Sequence, residues 1–156
     1  MKHRDIQPGL PGTRAAALVC AAFVLLATRD AGSTTLLKLS VEQMSEEAAL
    51  IVHGHVAWNY TTRNEAEGPI YTYTGFEVET CVAGECPDAV TLKHRGGTVG
   101  DLTLYIPGMP RFADGQEALL FLRPDPEGEE GRWAVFGMVQ GFFHVVTEPA
   151  SGEKLA

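Results

Sequence analysis

Two histidines are spaced so that both could bind one metal ion. His53 and His55 flank Gly54 in a stretch where apolar and polar residues alternate. Side chains two residues apart on a β-strand point to the same face, so both imidazoles can reach one ion, and the glycine leaves space beside them. A third ligand, for which His94 and His144 are candidates, must come from elsewhere in the fold. The alternative is that both histidines are polar residues on a solvent-facing strand that binds no metal.

Other patterns do not favour an enzyme. Glu77 and Glu79 share one face of a predicted strand, and exposure explains them more simply than acid–base catalysis does. The run Gly96-Gly-Thr-Val-Gly100 lacks the Lys-Ser/Thr ending and the following helix of a phosphate-binding loop. Gly-x-Ser-x-Gly is absent, and the serines after residue 32 are few, at positions 33, 40, 45 and 151. The sequence therefore indicates neither a catalytic residue nor a cofactor.

A candidate binding surface consists of four aromatic residues, Trp58, Tyr60, Tyr71 and Tyr73. If exposed, their rings can contact a peptide or a sugar. Cross-strand packing within the sheet explains Tyr71 and Tyr73 equally well. The polar face of the first strand and a predicted loop over residues 59–68 belong to the same candidate partner surface.

The N-terminus predicts export from the cytoplasm. Three basic residues precede an apolar run over residues 15–27, which is short for a membrane span and typical of a signal peptide. We expect a signal peptide over residues 1–32, one domain over 33–148 and a frayed tail over 149–156. The mature protein is then secreted or periplasmic and not membrane-bound. A retained membrane anchor and a lipoprotein linkage through Cys20 are the alternatives.

Charge and cysteine content fit that compartment. From Ser33 onward the chain has 8 Lys and Arg against 18 Asp and Glu, a formal charge of 8 − 18 = −10, which disfavours nucleic acid and anionic membranes as partners. In an oxidising compartment, Cys81 and Cys86 with Gly84 between them most simply form a disulfide. A redox pair or half of a metal site are the rival interpretations. The acidic run around Glu129 is interpreted as a solvated hairpin loop.

The hydrophobic pattern predicts one short helix and several strands. Ser40 and Gln43 form a capping pattern at the start of a helix over residues 41–48. Alternation in the first strand places Trp58 with the apolar residues and Ile51 with the two histidines. Further strands are predicted over residues 70–82, 89–95, 102–106, 117–122, 132–140 and 142–147, with a bulge or sharp bend at Gly75 in the first of these. Short strands at such regular intervals predict a closed or nearly closed β-barrel.

The order of these motifs resembles a group of secreted bacterial proteins of uncharacterised function, some of which also carry a matrixin-like metalloprotease domain. The resemblance rests on the segments 51–56, 70–78, 96–100, 107–110, 112–122 and 137–141. More distantly, the chain is similar to netrin-like domains and tissue inhibitors of metalloproteinases. That resemblance implies a mainly β fold, a small OB-like antiparallel barrel with one short N-terminal helix. The inhibitors act through an N-terminal cysteine, and no cysteine lies near the predicted mature start, so their mechanism is not expected here.

These observations lead to a functional prediction. We expect a secreted, non-catalytic binding or interaction module whose partner is an extracellular protein or a protease. The alternatives are a metal-dependent enzyme that uses His53 and His55, or a protease-associated regulatory domain.

Overall fold

The fold is mainly β. A computed structural model describes residues 37–63, 68–148, 151–152 and 154–156, so the predicted signal peptide lies outside the described residues. The elements of the described residues are helix α1 (Val41–Glu47), β1 (Leu50–Arg63), β2 (Ile70–Ala83), β3 (Ala89–Arg95), β4 (Gly97–Val99), β5 (Leu102–Leu104), β6 (Glu117–Pro124), β7 (Arg132–Val135), a 3₁₀ helix (Met138–Gly141), β8 (Phe142–His144), β9 (Val146–Thr147) and β10 (Lys154–Leu155). No helix in this part of the chain is long and apolar enough to cross a membrane.

Helix α1 begins with the predicted capping box. The Ser40 hydroxyl accepts a hydrogen bond from the backbone N–H of Gln43 at 3.2 Å, and the Gln43 side chain accepts one from the Ser40 N–H at 3.0 Å. Two of the N–H groups that a helix start leaves unpaired are thereby satisfied. The helix ends at Glu47, one residue before the predicted end, and buries Met44.

Six strands form one mixed sheet in the order β1-β2-β3-β7-β6-β8, and an additional β1–β6 pairing bends the first five of these strands into a nearly closed ring. All pairings in this ring are antiparallel except β3–β7, where Thr91 and Leu92 run parallel to Arg132 and Trp133. The prediction of an entirely antiparallel barrel is therefore wrong at this seam. The parallel pairing arises because β7 returns from the β6–β7 hairpin in the same direction as β3.

Apolar side chains pack on both sides of β1 and β6. Inside the ring, a large cluster includes Val52, Phe76 and Leu120. Outside it, Met44 of α1 packs with Ile51 and Phe121 in a second cluster. The prediction that Ile51 shares a polar face with the histidines is therefore incomplete, because α1 and its neighbours cover that end of the face.

Irregular pairing between β1 and β2 changes which side chains face outward. Three register shifts leave Ala57, Glu79 and Val82 without a directly paired residue. The extra residue Ala57 turns Trp58 outward, whereas strict alternation places Trp58 in the core with Val56. The bulge expected at Gly75 thus lies on the partner strand. Gly75 is needed for another reason, since a Cβ atom there would overlap the Trp58 indole.

Several segments differ from the sequence prediction. β1 continues to Arg63, where a loop was predicted from residue 59, and the strand predicted over residues 132–140 ends at Val135. Gly137 then adopts a left-handed conformation with φ of 66°, which starts the 3₁₀ helix. The Gly97–Val99 segment is itself a strand and forms a hairpin with β5. Lys154 and Leu155 of the predicted frayed tail pair with β9.

The structure confirms the disulfide between Cys81 and Cys86, whose Cα atoms are 5.6 Å apart. It closes the turn between β2 and β3.

Replacing both cysteines with serine is expected to lower the free energy of unfolding by about 2 kcal/mol, because the closed loop is short. Chemical denaturation of the two proteins measures this difference. A reductant should destabilise the wild type and leave the double variant unchanged. Equal stability of the oxidised wild type and the variant would contradict the prediction.

Candidate functional site

Three aromatic side chains share the outer face of the ring. Trp58 and Tyr60 of β1 lie opposite Gly75 and Tyr73 of β2 in the strand register. Trp58 is 45% exposed and Tyr60 is 59% exposed, so these large rings form an exposed aromatic patch on the sheet. Together with Tyr73 they line a shallow groove that also includes Thr62, Thr91, Glu129 and Arg132. We call Trp58, Tyr60 and Tyr73 the aromatic face.

Two rings of the aromatic face, those of Trp58 and Tyr73, contact neighbouring groups of the sheet. The Trp58 indole lies against the Gly75 backbone, where only a glycine leaves room. The Arg132 guanidinium lies 5.6 Å from the centre of the Tyr73 ring, and the Tyr73 hydroxyl donates a hydrogen bond to Glu129 at 3.4 Å. Burial and the Glu129 carboxylate raise the pKa of Tyr73, so its hydroxyl stays protonated and able to donate.

Tyr71 does not belong to this exposed surface. It is 9% exposed, and its ring lies beneath the Lys93 ammonium, 4.7 Å from the ring centre. Its hydroxyl donates a hydrogen bond to Glu127 at 2.9 Å. The expectation that Tyr71 lines a free surface is corrected, because a basic side chain from the adjacent strand covers the ring.

The acidic hairpin loop between β6 and β7 is anchored rather than merely solvated. The Lys93 ammonium lies 3.2 Å from Asp125, 2.9 Å from Glu127 and 3.0 Å from Glu129. Burial alone lowers the pKa of Lys93, but the hydrogen bonds to these three carboxylates outweigh burial and raise it. The same ammonium lowers the pKa of Glu127 and that of Glu129. The loop is thus fixed at the edge of the aromatic face.

The two histidines of β1 contact carboxylates from two other strands, β2 and β6. His55 Nδ1 lies 3.0 Å from Glu79 and His55 Nε2 lies 3.2 Å from Glu77. His53 Nε2 lies 2.7 Å from Glu117 of β6, and His53 Nδ1 lies 3.8 Å from Glu79. The structure thus brings both histidines to one face, as the sequence predicts. We call these five residues the histidine–glutamate cluster.

Lys154 of β10 closes one side of this cluster. Its ammonium lies 2.6 Å from the Glu117 carboxylate. The hydrogen bonds from Lys154 and His53 lower the pKa of Glu117, and the same contact with Glu117 raises the pKa of Lys154. The sequence does not indicate Glu117 and Lys154 as site residues, because no local pattern shows that β6 pairs with β1 or that Lys154 reaches Glu117.

The other two histidines have different surroundings. His94 packs against Phe112, with ring centres 5.7 Å apart, and its buried Nδ1 has no hydrogen-bond partner among the described residues. Burial lowers its pKa to about 4, so this imidazole is neutral at pH 7. His144 lies 2.6 Å from the Gln116 side chain. Neither makes a described contact with His53, beside which the structure places Glu79 and Glu117 instead.

These features describe a mainly β protein with a nearly closed ring of strands, an aromatic face and a histidine–glutamate cluster. Comparison of the chain with models of known families, with curated protein sequences and with solved structures finds no significant match. The similarity to netrin-like domains and tissue inhibitors of metalloproteinases therefore stays a prediction.

Proposed function

We propose that the protein is a non-catalytic extracytoplasmic binding module that holds a protein partner on its aromatic face. The observation that carries this proposal is the exposure of Trp58 and Tyr60 on the same face of β1, with Arg132 lining the same groove. Trp, Tyr and Arg are the residues that most often dominate the energy of protein interfaces. Since contacts with Gly75, Arg132 and Glu129 already hold the Trp58 and Tyr73 rings, ordering these two rings on binding would cost little conformational entropy.

The position of the face in the ring supports the same proposal. Three consecutive antiparallel strands are followed by two strands that close between the third and the first, so we propose an OB-like barrel. OB folds bind ligands on the face of their second and third strands and on the loops beside it. In this chain that region holds Tyr73 of β2, Thr91 of β3 and the acidic β6–β7 loop. The Cys81–Cys86 disulfide is consistent with an oxidising compartment.

The negative charge of the chain favours a basic partner. The whole chain has a formal net charge of −8, and Glu129 lines the groove beside the exposed rings. A basic side chain of a partner can stack on an exposed indole or phenol ring, and the negative net charge favours its approach, although Glu129 itself already pairs with Lys93 and Arg132. We therefore propose a protein partner that presents Arg or Lys side chains to the aromatic face.

A labelled arginine-rich peptide provides a defined probe of this proposal. Exchange of both Trp58 and Tyr60 for alanine is expected to weaken its binding at least about tenfold, because the two exposed rings are lost. Fluorescence polarisation measures the affinity. The double variant keeps the net charge of the wild type, so attraction that depends on net charge alone is unaffected.

The exchange Tyr105→Ala is the matched control. Tyr105 is an exposed aromatic residue outside the groove, and its loss should leave the affinity for the peptide unchanged. If the Trp58/Tyr60 double variant binds the peptide as tightly as the wild type does, the proposed face is wrong.

A further inference from the structure

The histidine–glutamate cluster has an imbalance of charge. Its three carboxylates, Glu77, Glu79 and Glu117, face one ammonium, that of Lys154. The formal charges of the three carboxylates and the one ammonium sum to −2, which is the charge that one divalent cation would neutralise. This excess of negative charge is concentrated where β1, β2 and β6 meet, and is not spread over an acidic surface.

The hydrogen-bond geometry of the imidazoles points the same way. Both ring nitrogens of His55 lie within 3.2 Å of a carboxylate oxygen. An imidazole nitrogen that carries no hydrogen can bind a metal ion, and the carboxylate beside it can supply a second ligand atom. His53 likewise has a carboxylate beside each nitrogen, Glu117 at 2.7 Å and Glu79 at 3.8 Å.

A β-bulge brings the central carboxylate into place. The register shift between His53 and Gly54 leaves Glu79 without a paired residue on β1. One of its oxygens then faces His53 and the other faces His55. Bulges often direct a side chain toward a functional site. His53, Glu79 and Glu117 each offer one ligand atom, and these atoms lie within 4.8 Å of one another.

We propose that His53, Glu79 and Glu117 bind a divalent transition-metal ion, for which Zn²⁺ is the probe. One imidazole and two carboxylates are a donor set that zinc accepts, with water in the remaining position. His55 orients Glu79 through the oxygen that does not face His53, as outer residues do at metal sites. The ion takes the place of the Lys154 ammonium beside Glu117.

The proposal predicts opposite effects for two exchanges. Glu79→Gln keeps the shape of the side chain but removes a charged ligand, so Zn²⁺ should bind at least about tenfold more weakly. Lys154→Ala removes the competing ammonium, so Zn²⁺ should bind severalfold more tightly. Isothermal titration of the purified full chain with zinc chloride measures both affinities and the stoichiometry, expected to be one ion per chain. Glu85→Gln and Lys38→Ala, at exposed positions outside the cluster, are the matched controls and should bind as the wild type does.

Thermal denaturation gives a second readout that does not depend on the heat of binding. Because the ion joins β1, β2 and β6, Zn²⁺ should raise the melting temperature of the wild type and not that of His53→Gln. Ca²⁺ should have no comparable effect, since it binds oxygen ligands. The proposal is overturned if the wild type takes up no zinc, if Glu79→Gln binds zinc like the wild type, or if Ca²⁺ binds as tightly as Zn²⁺. If Lys154→Ala binds Zn²⁺ with the same affinity as the wild type, the idea that the ion replaces the Lys154 ammonium beside Glu117 is wrong.

Discussion

Exchange of Gly54 for alanine is expected to lower the free energy of unfolding by about 3 kcal/mol. A Cβ atom at this position would overlap the backbone carbonyl oxygen of Glu77 on the adjacent strand. Backbone cannot rotate away as a flexible side chain can, so β1 and β2 would have to separate. Urea denaturation of the wild type and the variant measures the loss.

A glycine in open space is the matched control for this exchange. Gly128 has φ of 79° and no atom near the position of a Cβ. Its exchange for alanine introduces backbone strain alone, which costs about 1 kcal/mol. Equal losses for the two variants would show that strand contact at Gly54 is not the cause. Since Gly54 stands between His53 and His55, the same close approach also fixes where the two imidazoles meet β2.

The parts of the fold that local sequence determines were predictable. The capping box depends on residues three positions apart, Ser40 and Gln43, and the helix begins where they place it. β3 has the predicted bounds, and β2 extends one residue beyond its predicted end. In the same way, the two cysteines five residues apart form the predicted disulfide.

Features that depend on distant parts of the chain were not predictable from alternation alone. The side on which Trp58 lies depends on the bulge at Ala57, and a one-residue shift reverses every later side chain of a strand. Ile51 lies on the same face of β1 as the histidines, but it is buried there because Met44 of α1 packs against it. The apolar residues after Val135 continue a strand pattern, but Gly137 turns the chain into a 3₁₀ helix.

In the candidate site, too, the features set by local sequence were predictable and those set by distant parts of the chain were not. The sequence indicates that His53 and His55 share a face, because that follows from the period of a strand. It does not indicate Glu117 as their neighbour, because that contact depends on the β1–β6 pairing that closes the ring. Nor does it indicate that Lys93 covers Tyr71 and organises the acidic loop.

Exchange of Lys93 for methionine is expected to lower the free energy of unfolding by about 3 kcal/mol at neutral pH. The Lys93 side chain is 8% exposed and its partner Asp125 is 3% exposed, so the exchange leaves a buried carboxylate without its cation. Methionine keeps most of the apolar stem that packs over Tyr71, which separates the loss of charge from the loss of packing. Lys38→Met, at an exposed position, is the control and should change stability by less than about 0.5 kcal/mol.

The dependence of this loss on pH identifies its cause. The folded protein lowers the pKa of Glu127 and that of Glu129, so their contribution is complete above the carboxyl pKa of the unfolded chain, about 4.3, and is lost as the pH falls through the folded values. The folded protein raises the pKa of Lys93, so its contribution is complete below about pH 10.4 and is lost only above that. The stability difference between wild type and Lys93→Met should therefore be constant from about pH 5 to about pH 10 and shrink in acid. If the stability difference between the wild type and Lys93→Met is still on the order of 3 kcal/mol at pH 3, the loss comes from packing, and the electrostatic explanation is wrong.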